Sequence, residues 1–530
     1  MAARPPEDAP DIDQDDSLRG LRSGFARRFF DPEARYVLTR FVLLRLLGLI
    51  YFVAFLSAAL QIQPLLGPEG LLPAQRFVEH VTALSGSRAA AFARIPSLFF
   101  WIDPSGAALQ AACWLGAALS LAVLAGATNA VLQLALWALY LSLVHVGQLF
   151  YGYGWEIQLA ETGFLAVFLC PARTISPFAA APPPVVVIWL FRWLIVRIML
   201  GAGLIKLRGD PCWQDLTCLV YHYETQPVPS PLSWLLHQAP RAFHQAGVLF
   251  NHLVELVAPF FAFGPRLARR VAGVLFVAFQ VILILSGNLS FLNWLTIVPA
   301  IACFDDGALS RLIPARLRAR LEGGAPQEPS RAHRRAAAAF GLVVLALSIN
   351  PVLNLLSARQ AMNTSFDPLG LVNTYGAFGS VGKERFEVIL LGTAEEVPGE
   401  RTAWREYELP CKPGDVHRRP CVITPYHYRI DWQIWFAAQS SVEREPWLVH
   451  LAAKLLRGDP GVKRLLARDP FPGRPPRYIR MDLYRYEFTR IGDGSGAWWK
   501  RTYLGEYLRP VSAEDPELQR FLAAHGWARE

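Results

Sequence analysis

Three ionisable side chains fall near the middle of apolar stretches that are long enough to cross a membrane. Arg197 lies about ten residues, or roughly 15 Å, from the outer end of its stretch, and Glu161 and Glu255 lie at a similar depth in the stretches before and after it. A charge inside a bilayer is costly unless it is paired or lines a polar cavity. The three residues therefore predict an ion-pair cluster that fixes helix packing or, alternatively, a cavity that holds a ligand or a proton.

Lys206 lies nearer the outer face, at a depth similar to those of Glu156 and His252. A lysine in a medium of low dielectric constant can lose its proton and act as a base. In that interpretation Lys206, His252 and Glu255 would be the catalytic residues of a membrane enzyme. A lysine at the end of a span more often extends its ammonium group into water, and the leading interpretation assigns no catalytic residue.

The common enzyme signatures are missing from the sequence. It contains no Gly-x-Ser-x-Gly elbow, no His-Glu-x-x-His, no Cys-x-x-Cys and no phosphate-binding loop. We therefore expect no metal site and no cofactor.

The elements that must position these residues are membrane helices. Hydrophobic residues make up 53% of the 530 residues and charged residues 18%, against about 25% charged in soluble domains. Because a span needs about 20 apolar residues, nine windows are predicted, at about 39–61, 106–126, 129–151, 153–171, 185–207, 246–264, 271–287, 289–304 and 336–356.

Basic residues in the short loops predict the orientation. If the spans alternate from a cytoplasmic N-terminus, eighteen arginines fall in cytoplasmic loops and five in external ones, as the positive-inside rule requires. The tail after about residue 357 then lies outside the cytoplasm. The basic residues of these loops account for the net charge of +9, so we expect no nucleic-acid partner. The expected partner of the helices is membrane lipid.

Four cysteines lie on the side predicted to be external, where disulfides persist. They pair by proximity as Cys212 with Cys218 and Cys411 with Cys421. Unpaired structural cysteines remain the alternative.

The tail has the pattern of a mixed α+β domain. Four segments rich in β-branched or aromatic residues predict strands, and the last two flank the hairpin signal Gly492–Gly496. Segments 431–439 and 447–457 have helical spacing. The predicted fold is a polytopic α-helical membrane protein of about nine spans with a C-terminal extracytoplasmic α+β domain. Its parts are a disordered cytoplasmic segment (1–38), a membrane domain (39–356) with an external loop (208–245), and the external domain (357–530).

Several long strings carry a specific resemblance. GAGLIKLRGDPCWQDLTCLVYHYETQPVPSPLSW from Gly201, NHLVELVAPF from Asn251, LSGNLSFLNWLTIVP from Leu285, RIDWQIWFAA from Arg429 and PFPGRPPRYIRMDLYRYEFT from Pro470 closely resemble the lipase maturation factor family. The resemblance extends over nearly the whole chain from about residue 36.

The resemblance implies a membrane protein that helps homodimeric secreted lipases fold and assemble, located in the endoplasmic reticulum in eukaryotic relatives and in the inner membrane if the chain is bacterial. It implies a secreted lipase or other exported hydrolase as client, and we expect the external loop to contact it through Trp213, Tyr221, His222 and Glu224. It also implies distant kinship with the vitamin K-dependent carboxylase membrane domain. The alternative function is therefore a membrane enzyme that acts on a lipid, a quinone or a polypeptide.

Overall fold

The computed structural model describes residues 35–178, 181–322 and 330–528 of the chain. Most of the N-terminal segment 1–38, which the sequence predicts to be disordered, lies outside the described residues.

The α-helices of the described residues fall into a membrane part and a tail part. The membrane part contains α1 (Val37–Leu66), α2 (Ala74–Ser85), α3 (Arg88–Arg94), α4 (Gly106–Ala125), α5 (Ala130–Val146), α6 (Gly154–Val167), α7 (Val185–Gly209), α8 (Pro211–Gln214), α9 (Cys218–Thr225), α10 (Pro231–His237), α11 (Arg241–His252), α12 (Arg266–Ser286), α13 (Leu292–Ala300), α14 (Asp306–Leu309), α15 (Ala315–Glu322), α16 (Arg331–Leu347) and α17 (Ile349–Leu356). The tail contains α18 (Arg429–Ala437), α19 (Pro446–Leu456), α20 (Pro460–Lys463) and α21 (Pro516–Ala524).

Five helical segments of the described chain are long and apolar enough to cross a membrane: α1, α4, α7, α12 and the continuous segment α16–α17. The predicted count of nine is not confirmed, because the other four windows form shorter helices. Window 129–151 turns into a 3-10 helix after Gly147, and α6 has 14 residues. The window that starts in α11 becomes a π-helix at Leu253–Val257 and a 3-10 helix at Ala258–Phe261, which contains a proline. The last short window is α13, which contains Pro299, and proline removes a helical hydrogen bond.

Loops predicted to share one side of the membrane meet at one end of the helix bundle. The Arg45 guanidinium donates to the carbonyls of Gly126 and Ala127, both at 3.1 Å. The carboxylate of Asp306 accepts the N–H groups of Val37 at 3.0 Å and Leu38 at 2.8 Å. These contacts join the start of α1 to the loops that follow α4 and α13.

The tail forms the predicted α+β domain around a four-stranded antiparallel sheet of order β4-β3-β5-β6. Its strands are β3 (Arg385–Thr393), β4 (Arg405–Glu406), β5 (Tyr478–Phe488) and β6 (Trp499–Ser512), and a separate two-stranded ribbon pairs β1 (Thr364–Ser365) with β2 (Asn373–Thr374). Strands β5 and β6 form the predicted hairpin, and Gly492, Gly494 and Gly496 between them have positive φ. Side chains there would be strained, which explains the glycines.

One buried ion pair joins the tail to the membrane helices. Arg429, at the start of α18, donates to Glu156 in α6 at 2.8 Å, and both side chains are fully buried. Glu156 also accepts the indole N–H of Trp155 at 3.0 Å and the hydroxyl of Tyr140. The guanidinium of Arg429 donates to the carbonyl of Phe150 at 2.5 Å.

Glu156→Ala should destabilise the whole protein, because it leaves the Arg429 cation buried without its carboxylate. Loss of one partner of a buried pair costs about 3–5 kcal/mol, and the free energy of unfolding in detergent measures it. The double variant Glu156→Leu with Arg429→Met should recover part of the loss. Glu517→Ala is the control, since the Arg509–Glu517 pair is exposed and should contribute at most about 1 kcal/mol. Equal stability of Glu156→Ala and the control would contradict the assignment.

Candidate functional site

Arg197 and Glu161 form a buried ion pair between α7 and α6. The start of the tail completes it. The carbonyl of Asn373 accepts from Arg197 at 2.6 Å, and Glu161 accepts the Asn373 N–H at 3.0 Å and the Tyr375 hydroxyl at 2.7 Å. The sequence placed Glu255 in this cluster as well, but Glu255 has a different partner.

Glu255 pairs with Lys206. The Lys206 ammonium donates to both carboxylate oxygens of Glu255, at 2.6 and 2.7 Å, and the Asn251 amide donates to the same carboxylate at 3.0 Å. Lys206 and Glu255 are each 3% exposed. Glu255 lies in the π-helix at Leu253–Val257. Its side chain therefore leaves the helix axis in a different direction from the one it would have in a regular α-helix.

His252 does not join this pair. Its Nε2 donates to the carbonyl of Trp213 at 3.0 Å, and its Nδ1 has no hydrogen-bond partner in the described chain. Lys206 and Glu255 are therefore brought together, but no hydrogen bond connects His252 to them, and the alternative catalytic set does not form a hydrogen-bonded relay.

The external loop is held against the tail. A disulfide joins Cys212 to Cys218, with Cα atoms 4.8 Å apart. Between them, the Trp213 indole donates to the carbonyl of Phe378 at 2.9 Å, and Trp213 is 2% exposed. His222 packs edge-on to Phe378 with ring centroids 4.8 Å apart.

The four predicted client contacts differ in exposure, and their role as client contacts stays a prediction. Trp213 and His222 are buried because both pack beneath the tail segment at Phe378, whereas Tyr221 and Glu224 are partly exposed. Glu224 accepts the N–H of Phe488 at 2.6 Å, and burial raises the pKa of this carboxyl.

The loop also supports the sheet of the tail. Arg385 of β3 donates to the carbonyls of Gln226 at 2.5 Å and Pro227 at 2.9 Å. The Trp234 indole donates to the carbonyl of Thr489 at 2.9 Å. The loop is thus a structural support between the helices and the sheet.

The second disulfide joins Cys411 to Cys421, with Cα atoms 5.6 Å apart. The N–H groups of Cys411 and Lys412 donate to Asp431 of α18 at 2.6 and 2.7 Å. Burial raises the pKa of Asp431 to about 6, despite these donors. Asn288, which follows α12, donates to the carbonyl of Cys421 at 2.9 Å.

A large cavity lies beside the Lys206–Glu255 pair and Trp213. It measures about 650 Å³ and is lined by α6, α7, α11, α12, α13, the external loop and the tail. Sequence analysis missed it, although one signal was present. Gln158, Asn251, Gln280, Asn293 and Thr296 are uncharged polar residues inside apolar windows, and all five line the cavity.

Among the described residues, no group of three or more histidine, cysteine or acidic side chains could hold a metal ion.

The tail aromatics are mainly core residues. Phe436 is exposed; Trp435, Tyr484 and Trp498 are intermediate; and Trp432, Tyr486, Phe488 and Trp499 are buried.

Acid should destabilise the protein through His222, which lies in the external loop. Burial, with a smaller contribution from the Lys206 cation, lowers the pKa of His222 to about 4 from 6.5. The unfolded chain therefore binds the proton first, so the stabilisation is complete above pH 6.5 and is lost as the pH falls towards 4. The difference corresponds to about 3 kcal/mol.

Unfolding measured between pH 7 and pH 4 should thus show a shallower loss of stability for His222→Gln than for the unmodified protein. His417→Gln is the matched control, because the side chain of His417 is 64% exposed. Identical pH profiles for His222→Gln and the unmodified protein would refute the role of His222.

Comparisons with known proteins cover both parts of the chain. Residues 38–311 match the lipase maturation factor transmembrane domain, and residues 371–509 match the lipase maturation factor C-terminal domain. Lipase maturation factor 1 of Bos taurus is 50% identical over 514 residues, which cover 92% of this chain and 91% of that protein. Lipase maturation factor 1 of Homo sapiens is 48% identical over 513 residues, covering 92% and 90% of the two chains.

Lipase maturation factor 2 of Gallus gallus is 31% identical over 592 residues, covering 91% of this chain and 82% of that protein. No solved structure matches the chain. The family resemblance predicted from the sequence is confirmed, and this chain, an integral membrane protein, belongs to the lipase maturation factor family.

Proposed function

We propose that this protein is a membrane-bound maturation factor that helps a secreted lipase to fold and assemble. The observation that carries the proposal is the similarity to proteins named lipase maturation factor over 92% of the chain. Both family domains are matched, so the similarity includes the membrane helices and the tail.

The edge of the tail sheet supports a role in binding unfinished chains. Strand β6 is 14 residues long and, within the described chain, pairs with β5 alone. Its Tyr503 is 52% exposed and Leu504 is 46% exposed. A free strand edge offers backbone N–H and C=O groups to an extended segment of another chain, and the apolar side chains favour one that has not yet buried its core. We therefore assign client contact to β6, rather than to Trp213 and His222.

The enzyme alternative has less support. The named relatives are maturation factors, and Lys206 is already paired with Glu255. We propose that the protein acts by binding its client without turnover of a small molecule, and that no residue is catalytic.

Introducing a charge on the β6 edge should reduce lipase maturation. Tyr503→Lys and Leu504→Lys place an ammonium where an incoming strand would pack, and we expect at least a fivefold loss of specific lipase activity when each variant is co-expressed with a secreted lipase. Val397→Lys is the matched control, because Val397 is 80% exposed and lies in the segment between β3 and β4, neither of which pairs with β6. Membrane levels of each variant should be unchanged, and full lipase activity with both β6 variants would refute the assignment of β6.

The same assay separates binding from catalysis. In His252→Gln the amide can still donate to the Trp213 carbonyl, but the titratable imidazole is lost. A maturation factor should retain lipase activation, whereas an enzyme that uses His252 for proton transfer should lose nearly all of it.

We further propose nine membrane crossings, with a cytoplasmic N-terminal segment (1–38), a membrane domain (39–356) and an extracytoplasmic domain (357–530). The basic residues of the loops support this orientation, and the four shorter helices pack among the five long ones. The two disulfides support an oxidising environment for the external loop and the tail.

Cysteine labelling tests the topology in intact cells or sealed microsomes. Leu312 and Val397 are 79% and 80% exposed and lie on opposite sides of the proposed membrane. A membrane-impermeant maleimide applied to the extracytoplasmic side should label Val397→Cys, and Leu312→Cys should react only after the membrane is broken. The free cysteines Cys113, Cys170 and Cys303 are buried, so background labelling should be low. If only Leu312→Cys is labelled from that side, the orientation is the reverse of the proposed one.

A further inference from the structure

The cavity of about 650 Å³ has the walls of a binding site for an apolar chain. Ile198, Met199 and Ala202 of α7 form one side, and Phe250 of α11 with Phe279 and Leu283 of α12 forms another. The rings of Phe250 and Phe279 lie 6.1 Å apart between centroids. Sites for a single small ligand are usually about 300–1,000 Å³ and mostly apolar, so the cavity has room for one such molecule.

One part of the cavity is polar but carries no net charge. Lys206 and Glu255 line it and neutralise each other. His222 lines it too, and its low pKa of about 4 keeps it uncharged at neutral pH. In the described chain, no hydrogen bond occupies the ring nitrogens of His222 or the amide oxygen of Asn251, which therefore remain available to a ligand.

A second polar patch lies across the cavity. Asn293 donates to the amide oxygen of Gln280 at 2.7 Å. The Asn293 oxygen and the Gln280 nitrogen make no other hydrogen bond within the described residues, and both side chains line the cavity. An acceptor and a donor are thus both available, which suits hydroxyl groups, because a hydroxyl donates and accepts.

The cavity reaches the surface beside the helices and beside the tail. Phe243 of α11 and Ile282 of α12 line it and are 47% and 46% exposed, and Met362 and Phe436 of the tail line it and are 45% and 43% exposed. These four apolar side chains favour entry of a molecule with a long apolar chain over entry of a polar solute from water.

We propose that this cavity binds one uncharged single-chain acylglycerol, with the acyl chain between α7 and α12 and the glycerol hydroxyls at the polar groups. A fatty-acid anion would bring a net charge, and a phosphatidylcholine would bring two separated charges. The internally neutral Lys206–Glu255 pair compensates neither, and uncompensated buried charges are costly. Free hydroxyls distinguish the acylglycerol from a hydrocarbon, which would leave the cavity amides unpaired. This inference does not depend on lipase maturation.

Tryptophan fluorescence offers a direct test, because Trp155, Trp213, Trp432 and Trp435 line the cavity. Purified full-length protein in detergent is titrated with a monoacylglycerol whose chain carries two bromine atoms, which quench nearby indoles. We expect saturable quenching at about one molecule per protein, relieved by unlabelled monooleoylglycerol. Brominated stearate and a brominated phosphatidylcholine should bind at least tenfold more weakly.

Ala202→Leu should weaken the quenching at least tenfold by filling the cavity. Ala118→Leu is the matched control, because Ala118 is exposed on α4 and does not line the cavity. Asn251→Leu removes a polar group and should reduce the preference for the monoacylglycerol over a brominated alkane. If Ala202→Leu fails to fold, the test is whether monooleoylglycerol displaces the brominated monoacylglycerol from the unmodified protein. Displacement supports the proposal, and its absence contradicts it. Quenching that does not saturate, or equal or tighter binding of the stearate or phosphatidylcholine probe, overturns the proposal.

Discussion

The buried pair between Arg429 and Glu156 is the constraint on which the rest of the structure depends. A charge in the interior must have a partner, and here the partner of a membrane-helix carboxylate comes from 273 residues further along the chain. Glu161 follows the same rule, since Asn373 and Tyr375 of the tail complete its pairing with Arg197. Without the tail, Glu156 would lack its cation and Glu161 would lack two of its hydrogen-bond donors, so the membrane part and the tail form one unit.

The packing of the tail against the membrane helices explains why the external loop stabilises the position of the tail. Its carbonyls at Gln226 and Pro227 and its residues Trp213 and Trp234 all form hydrogen bonds to the tail. The same packing encloses the cavity, because α7, α11 and α12 meet the loop and the segment at Phe378 without filling the space between them.

The sequence predicted those features that depend on local pattern, and missed those that depend on the partner of each side chain. Apolar windows located the membrane helices, and the glycine-rich turn located the β5–β6 hairpin. Depth along a span placed Glu161 and Arg197 at one level. Depth does not give rotation about the helix axis, however, and the π-helix at Leu253–Val257 turns Glu255 towards Lys206. Nothing local in Glu156 indicates Arg429, and nothing local in Trp213 or His222 indicates that Phe378 of the tail contacts them.

Internal pairing of the charges also restricts what the protein can recognise. Three buried cations each have a carboxylate partner from this same chain, in the pairs Arg197–Glu161, Lys206–Glu255 and Arg429–Glu156. The cavity beside these pairs therefore presents amides and apolar walls with no net charge. In the tail, strand β6 presents a backbone edge with Tyr503 and Leu504. Backbone pairing and apolar contact require little of a partner's sequence, whereas a charged surface would select partners by their charge. The proposed client contact at β6 therefore suits an extended segment of an unfinished lipase, which has not yet formed the surface of its folded state.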